Sequence, residues 1–476
     1  TYQIKLLQRL RVILHKPFVM TLQEIVHLYN RVGFGILPTE VAKLQNQTRT
    51  EIVSQLFDAS RNFEPLSIDI SELTTILKGL KMKDRKKTRA LFKESAKKIH
   101  EMNTAWLYKL GNTEQLLVEK MTLFWANHFV CHDPNIVHFQ EYQNTLRTHA
   151  LGNFKDFVVA ISKEASMMKY LNTRQNKKQK PNENFARELM ELFTLGRDQY
   201  SEEDIKEAAR AFTGWNHGIM GDFRFRSRQH DYEEKTFLGK TGNFDGDAII
   251  EIILQQKKCA QFICEKIYRY FVNDQLDISR VSEMTELFYK DYDIGNLMRF
   301  VLMSDWFYDQ KNIGTKIKSP VEFLIGMHKV VPMQFEKERE LVYLQKLLGQ
   351  HLLFPPNVAG WKGGRNWINS NTMMLRLRLP SILLANGEIE LDEKGEFEED
   401  FQRFNSKRNR QRKLKVIPDW KAFQANYKNI TGEELQQLVL TSPLNRGTTT
   451  YLEKLADQDL KEYCIQLMSL PEYQLC

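Results

Sequence analysis

Apolar side chains recur every three or four residues through most of this chain, in the windows 21–32, 48–58, 84–128, 137–171, 182–195, 202–213, 246–272, 279–303, 319–350 and 370–386. That spacing lines one face of a helix, whereas a half-buried strand needs strict alternation. The chain is therefore expected to be mainly α. Alternation appears from Asp222 to Leu238, where "DFRFRSR" interleaves apolar and basic residues before "HDYEEKTFLG" turns back. A small antiparallel β-ribbon near 222–240, inserted into a large helical domain, is expected there. No fixed period is present, which disfavours a solenoid of stacked repeats.

With 476 residues, 42% of them hydrophobic, the chain can bury an extensive core. The simplest partition is an N-terminal extension (1–20), a helical domain (21–388), a charged connector (389–416) and a C-terminal helical appendage (417–476). The connector joins the acidic "DEKGEFEED" (Asp392 to Asp400) to the basic "KRNRQRKLK" (Lys407 to Lys415). Opposed charge blocks of this kind read as an exposed linker, with an interaction arm as the sharper alternative.

Several function classes recede on composition and pattern. The 68 Lys and Arg residues exceed the 60 Asp and Glu residues by only eight and are spread along the chain, so a nucleic acid partner is not expected. No run of about 18 apolar residues exists to span a bilayer, and no apolar stretch with a small-residue cleavage site marks an export signal. The five cysteines have no framework spacing; few or no disulfides are expected, with Cys259 and Cys264 as core thiols. No GxSxG, P-loop, strand-borne GxGxxG or HExxH motif occurs.

Polarity is densest in "PNENFARELMELFTLG", Pro181 to Gly196. At about 100° per residue, Glu183, Asn184, Arg187, Glu188 and Glu191 share one arc, while Phe185, Ala186, Leu189, Met190, Leu192 and Phe193 fill the other. Pro181 and Asn182 mark a start and Gly196 a stop. The next segment, "SEEDIKEAARAFTGW", has Ser201 and Asp204 at capping-box spacing and carries Glu203, Glu207 and Arg210. Helices joined by a short loop tend to lie antiparallel, which would bring the two charged stripes together. An ordinary solvated surface is the plainer account; carboxylates buried together would instead pair with Arg187 and Arg210, hold a metal or titrate upward.

Three further segments carry candidate chemistry. In "FWANHFVCHD", His128, Cys131 and His132 have i, i+3, i+4 spacing, but three ligands without a distal set do not make a metal site. No metal is assigned, and His128 reads as a hydrogen-bonded core or site histidine. "QHDYEEKTFLG" offers His230, Asp231 and Lys235 for proton transfer or anion binding, or as solvated loop residues. "FPPNVAGWKGGRNWINSN" combines Asn357, Trp361 and Trp367, which suit a carbohydrate or peptide platform or a packed loop.

Together with "HLYNRVGFG" (His27 to Gly35) and "HALGNFKDF" (His149 to Phe157), these segments resemble a bacterial family catalogued as the domain of unknown function numbered eighteen hundred, over roughly 21–388. The family pattern falls on Asn127, His128, Asn182, Glu183, Asn184, Arg187, Glu188, Glu191, Glu203, Glu207, Arg210, Trp215, His230, Asp231, Lys235, Asn357, Trp361 and Trp367. The resemblance implies a mostly helical protein, an extracytoplasmic or periplasmic setting, and a gene neighbour encoding a sulfatase-like protein. It implies no reaction and no cofactor.

Two functions follow as expectations. In the first, a hydrolase-like enzyme acts on a polymeric substrate, a polysaccharide, through His128, Glu183, Arg187, Glu188, His230 and Asp231, with Asn127, Asn184, Lys235, Asn357, Trp361 and Trp367 binding it. In the second, a non-catalytic scaffold or binding protein partners the sulfatase-like protein, its polar motifs locked in ion-pair networks. Convergence of the Pro181 helix with His128 and His230 on a cleft favours the first; mutual pairing of its charges favours the second.

Overall fold

The computed structural model describes residues 19–80, 84–385, 415–455 and 458–476, and most of the charged connector and of the N-terminal extension lies outside them. The fold is mainly α, with three two-stranded antiparallel pairs among the described residues. Several long apolar windows divide where the sequence supplies caps. The window 84–128 becomes Arg85–Asn112 and Leu116–His128, separated at Thr113, which is extended and whose hydroxyl accepts from the Gln115 amide. The window 137–171 becomes Ile136–His149, Phe154–Ser162 and Ala165–Tyr170, the first two started by Asn135 and Asn153, whose side chains accept first-turn N–H groups. Apolar spacing survives such short breaks, so periodicity alone does not reveal them.

The β-ribbon forms differently from the expectation. Phe223–Phe225 pairs upstream with Trp215–His217, in the register Trp215↔Phe225 and His217↔Phe223, instead of turning onto the segment after His230. Gly218 and Gly221 close that turn, the Gly218 amide donating to the Asp222 carbonyl (2.7 Å). A 3-10 turn at Ser227–Gln229 then ends the alternation. Lys235–Phe237 makes a second hairpin with Lys240–Gly242. Its two-residue loop, Leu238 and Gly239, has φ of 47° and 77°, the left-handed pair that matches strand twist.

The third pair joins Met333–Phe335 to Val416–Pro418, and Leu475 bridges to Ile317. The helices Trp420–Asn426, Gly432–Val439, Arg446–Glu453 and Leu460–Met468 contribute Phe423, Leu435, Leu452 and Leu467 to the same core as the rest of the chain. The five cysteines are buried free thiols. Among the described residues, no helix is long and apolar enough to cross a membrane.

At the centre lies Leu116–His128, buried on every side from Leu116 to Trp125, as befits a helix with no polar face. Yet it contains Glu119 and Lys120, adjacent in sequence and about 100° apart around the axis. Glu119 receives Nε of Arg147 (2.9 Å), Nη2 of Arg147 (3.2 Å) and the Trp106 indole N–H (3.1 Å). Lys120 pairs with Glu322 (2.6 Å) and donates to the Gly33 carbonyl (2.8 Å). The central helix is thereby pinned to four neighbouring segments. Arg147→Ala should leave the buried Glu119 carboxylate with only the Trp106 N–H and the more distant Lys109 ammonium (3.9 Å), and destabilise the protein by about 3 kcal/mol in chemical denaturation. Arg197→Ala, which removes an exposed partner of Glu191, should stay within about 0.5 kcal/mol of wild type.

Candidate functional site

The Pro181 segment begins as an α-helix, Asn184–Glu188, and continues as a π-helix, Leu189–Thr194. The Leu195 and Gly196 amides converge on the Met190 carbonyl (2.8 and 3.0 Å), and the Thr194 hydroxyl donates to Leu189 (2.6 Å). Gly196, at φ 82°, then reverses the chain beside the Phe262 ring. A single α wheel therefore fails after Glu188: Leu192 is only partly buried, whereas Leu189, Met190 and Phe193 face the core.

The widened turn presents two carbonyls to side chains from elsewhere. His128 Nε2 donates to the Phe193 carbonyl (3.0 Å), which leaves Nδ1 to accept from the Lys266 ammonium (3.0 Å). Lys266 also donates to the Leu192 carbonyl (2.9 Å) and lies 4.5 Å over the Phe262 ring. Burial, reinforced by the Lys266 charge, holds the imidazole well below its usual range, and burial pulls Lys266 from 10.5 down to about 7. Lys266 was not among the expected site residues. Its signal is a lysine in register with Cys259, Ile263 and Tyr270 on the otherwise apolar stripe of Lys257–Phe271.

The two charged stripes meet, but through Glu202 and not Glu203. Arg187 forks onto Glu202 (2.9 and 2.8 Å) and also reaches Glu183 (3.1 Å), so the bond to Glu202, opposed by some burial, raises the guanidinium pKa further. Arg187 is 34% exposed and Glu202 71%, so the pair is a surface clasp of modest stability. The Glu188 side chain makes no hydrogen bond or ion pair among the described residues. Partial burial and then the Glu191 charge push its carboxyl upward, against the nearby Arg187. Asn184 is exposed, with its amide N–H on Asn182 (3.2 Å).

A second cluster braces the ribbon. Arg210 donates to Asp231 through Nε (2.7 Å) and Nη2 (3.3 Å), and to Glu207 through Nη1 (2.8 and 3.0 Å). Burial opposes ionisation of Asp231, but Arg210 outweighs it and the carboxyl stays below its ordinary range. Lys235 is buried, donating to the Asp231 and Glu233 carbonyls (2.8 Å each). His230 Nδ1 bonds the Thr213 carbonyl (2.8 Å), and its ring meets Phe225 and Tyr232 edge-on. Glu207 and Asp204 accept the Thr236 and Leu238 amides, fastening the second hairpin to the helix Glu202–Ala211.

Asn127 serves a third place. Its side chain exchanges hydrogen bonds with the Trp361 backbone (3.1 and 2.8 Å), and a Cβ on Gly360, at φ 74°, would come 2.3 Å from its oxygen. Asn357 turns its own loop by accepting the Ala359 amide, Trp367 is buried and Trp361 half-buried. Cys131 is buried and His132 bonds the Leu353 carbonyl, so neither shares a partner with His128. The expected catalytic residues thus form three groups: His128 with Lys266; Glu183, Arg187 and Glu188; and His230 with Asp231. No hydrogen bond or ion pair connects these groups among the described residues.

A family model described as Protein of unknown function (DUF1800) matches residues 27–475. The chain belongs to the DUF1800 family. The match takes in the C-terminal helices as well as the motif-bearing segments. No curated protein and no solved structure matches the chain.

Burial of Lys266 beside His128 predicts a pH response of folding in this DUF1800 protein. A lysine whose folded pKa lies below its unfolded value makes folding release a proton between the two. Stability should therefore rise with pH from about 7 to 10.5 through this group and be level below 7. Lys266→Met should remove that slope, seen as a pH-dependent difference between the denaturation curves of wild type and variant.

Proposed function

We propose that this DUF1800 protein is a non-catalytic binding partner of a sulfatase-like protein and holds an acidic polysaccharide on its exposed ribbon. The observation that supports this most is the unbroken exposure of Asp222 through Arg228. Phe225 and Tyr232 are 45% and 55% exposed and each contacts the His230 ring, and Phe223, on the same strand as Phe225, is 36% exposed against the Trp215 ring. Lys163 lies 5.3 Å from both the Trp215 and Phe223 rings, and Arg224, Arg226 and Arg228 are exposed. Lys177, Lys178 and Lys180 are exposed on the adjoining loop, whose Lys178 amide bonds the Gln229 carbonyl (2.9 Å).

Aromatic faces suit the apolar face of a pyranose ring, and arginine forks suit sulfate or carboxylate groups. The polar motifs behind the ribbon are occupied in holding it: Arg210 by Asp231 and Glu207, Lys235 by carbonyls, His230 by Thr213. That is the pattern of a rigid platform, in which a bound chain finds its partners already placed.

In affinity electrophoresis, the protein should be retarded by dextran sulfate and not by neutral dextran. Phe225→Ala combined with Tyr232→Ala should weaken retention about tenfold, equivalent to about 1.4 kcal/mol. Equal retention on both polymers, or an unchanged double variant, sinks the proposal; tighter binding to single-stranded DNA than to dextran sulfate redirects it to nucleic acid.

A second function has one specific support, the unpartnered Glu188 with its raised carboxyl beside Arg187, Glu191 and Tyr200. A carboxyl in that setting can deliver a proton to a leaving group. In any assay of polysaccharide cleavage that detects the wild type, Glu188→Gln should abolish turnover while leaving retention on dextran sulfate intact. Full activity in the variant removes this alternative.

A further inference from the structure

The excess of basic residues is less evenly spread than its total suggests. Between Lys78 and Lys98 the sequence places ten Lys and Arg against Asp84 and Glu94, an excess of eight that equals the net charge of the whole chain. Most of that stretch forms the first half of the helix Arg85–Asn112. Leu91, Ser95 and Ile99 are its buried residues, and Ser71–Lys78, with Leu73 and Leu77 buried, packs alongside.

The opposite side faces water. At about 100° per residue, Phe92, Arg85, Arg89, Lys93, Lys86 and Lys97 follow one another across an arc of about 140° that runs about 18 Å along the axis. All six are exposed, Phe92 by 40% of its surface, and no acidic residue falls within the arc. Beside the arc, Glu94 pairs with Lys97 (2.9 Å), and Asp84 lies 3.6 Å from Lys87. Arg85, Lys86, Arg89 and Lys93 make no ion pair or side-chain hydrogen bond among the described residues.

This placement does not serve the helix itself. Arg85, Lys86 and Lys87 fill a first turn that has no acidic residue, where the helix dipole favours carboxylates. Arg85, Arg89, Lys93 and Lys97 succeed one another at i, i+4, a spacing at which like charges repel. A negatively charged partner relieves both penalties at once.

We propose that this face is a docking surface for an anionic lipid bilayer. The side of a straight helix is convex and level, and a bilayer surface asks of it only positive charge and an apolar edge. Lysine stems lie along the headgroups while their ammonium ends meet the phosphates. Phe92, at the margin of the arc, enters between headgroups. A nucleic acid duplex would engage the same cations and leave Phe92 without a role, and the arc offers no Asn or Gln to read a base edge. Contact is peripheral and inserts no helix. It is independent of the ribbon and of any polysaccharide.

The test is co-sedimentation of the full chain with vesicles of phosphatidylglycerol and phosphatidylcholine in equal parts, and with vesicles of phosphatidylcholine alone. Binding is expected to the first and not to the second, and should weaken steeply as sodium chloride is added. Arg89→Gln combined with Lys93→Gln should weaken it at least about tenfold. The unfolding midpoint should not change, because both side chains are exposed and unpaired among the described residues. Phe92→Ala should weaken binding about threefold. Phe225→Ala combined with Tyr232→Ala, on the ribbon, should bind the vesicles like wild type. No preference for the anionic vesicles, or equal binding by wild type and the Arg89, Lys93 variant, overturns the proposal. Unchanged binding by Phe92→Ala, or tighter binding to double-stranded DNA than to the vesicles at the same salt, also overturns it, in favour of a soluble polyanion.

Discussion

Glu119 and Lys120 occupy adjacent positions in the most deeply buried helix, and neither is tolerable there without an opposite charge close by. Because neighbouring residues on a helix point in different directions, one helix must be met by Arg147 on one side and Glu322 on another. Hydrophobic packing is less directional than an ion pair, since apolar contacts carry no preferred orientation of their own. The two pairs select one rotation of Leu116–His128 about its axis. The helices Ile136–His149 and Pro320–Val330 then have fixed positions, and with them the His128 ring at the end of the same helix.

Much of this architecture was legible in the sequence, and the failures have physical causes. Three- and four-residue spacing marks helices reliably, and the Ser201–Asp204 capping box forms as its spacing requires. The ribbon's strand content was visible at Phe223 to Phe225, but its partner was not, since alternation says which face is buried and not which strand lies alongside. The turn residues around Gly218 and Gly221 and the Leu238–Gly239 loop decided the pairing. The π-helix was invisible for a related reason: a wheel assumes a constant angle, and the carbonyls that make the wider turn affordable are satisfied by His128 and Lys266 from distant segments.

The same distinction applies to the candidate site. Of the residues singled out by type, His128, Asp231 and Lys235 are buried and bonded, whereas Asn184 is exposed. Type could not separate a group that acts on a ligand from one that fastens the chain. Asn127 is the clearest case, an amide whose donor and acceptor are both spent on Trp361. Conversely, Glu202 and Lys266 gain their importance from what the fold brings opposite them, which no local pattern contains.

The π-helix from Leu189 to Thr194 carries one more implication, for how this chain can vary in length. A π turn holds one residue more than an α turn, so the segment already contains, in effect, a tolerated insertion. Loss of a single residue there would restore α geometry and rotate everything beyond by about 100° relative to the start of the helix. The Leu192 and Phe193 carbonyls would swing away from Lys266 and His128, and Gly196 would no longer turn beside Phe262. The length of this helix is therefore as constrained as the identity of its side chains.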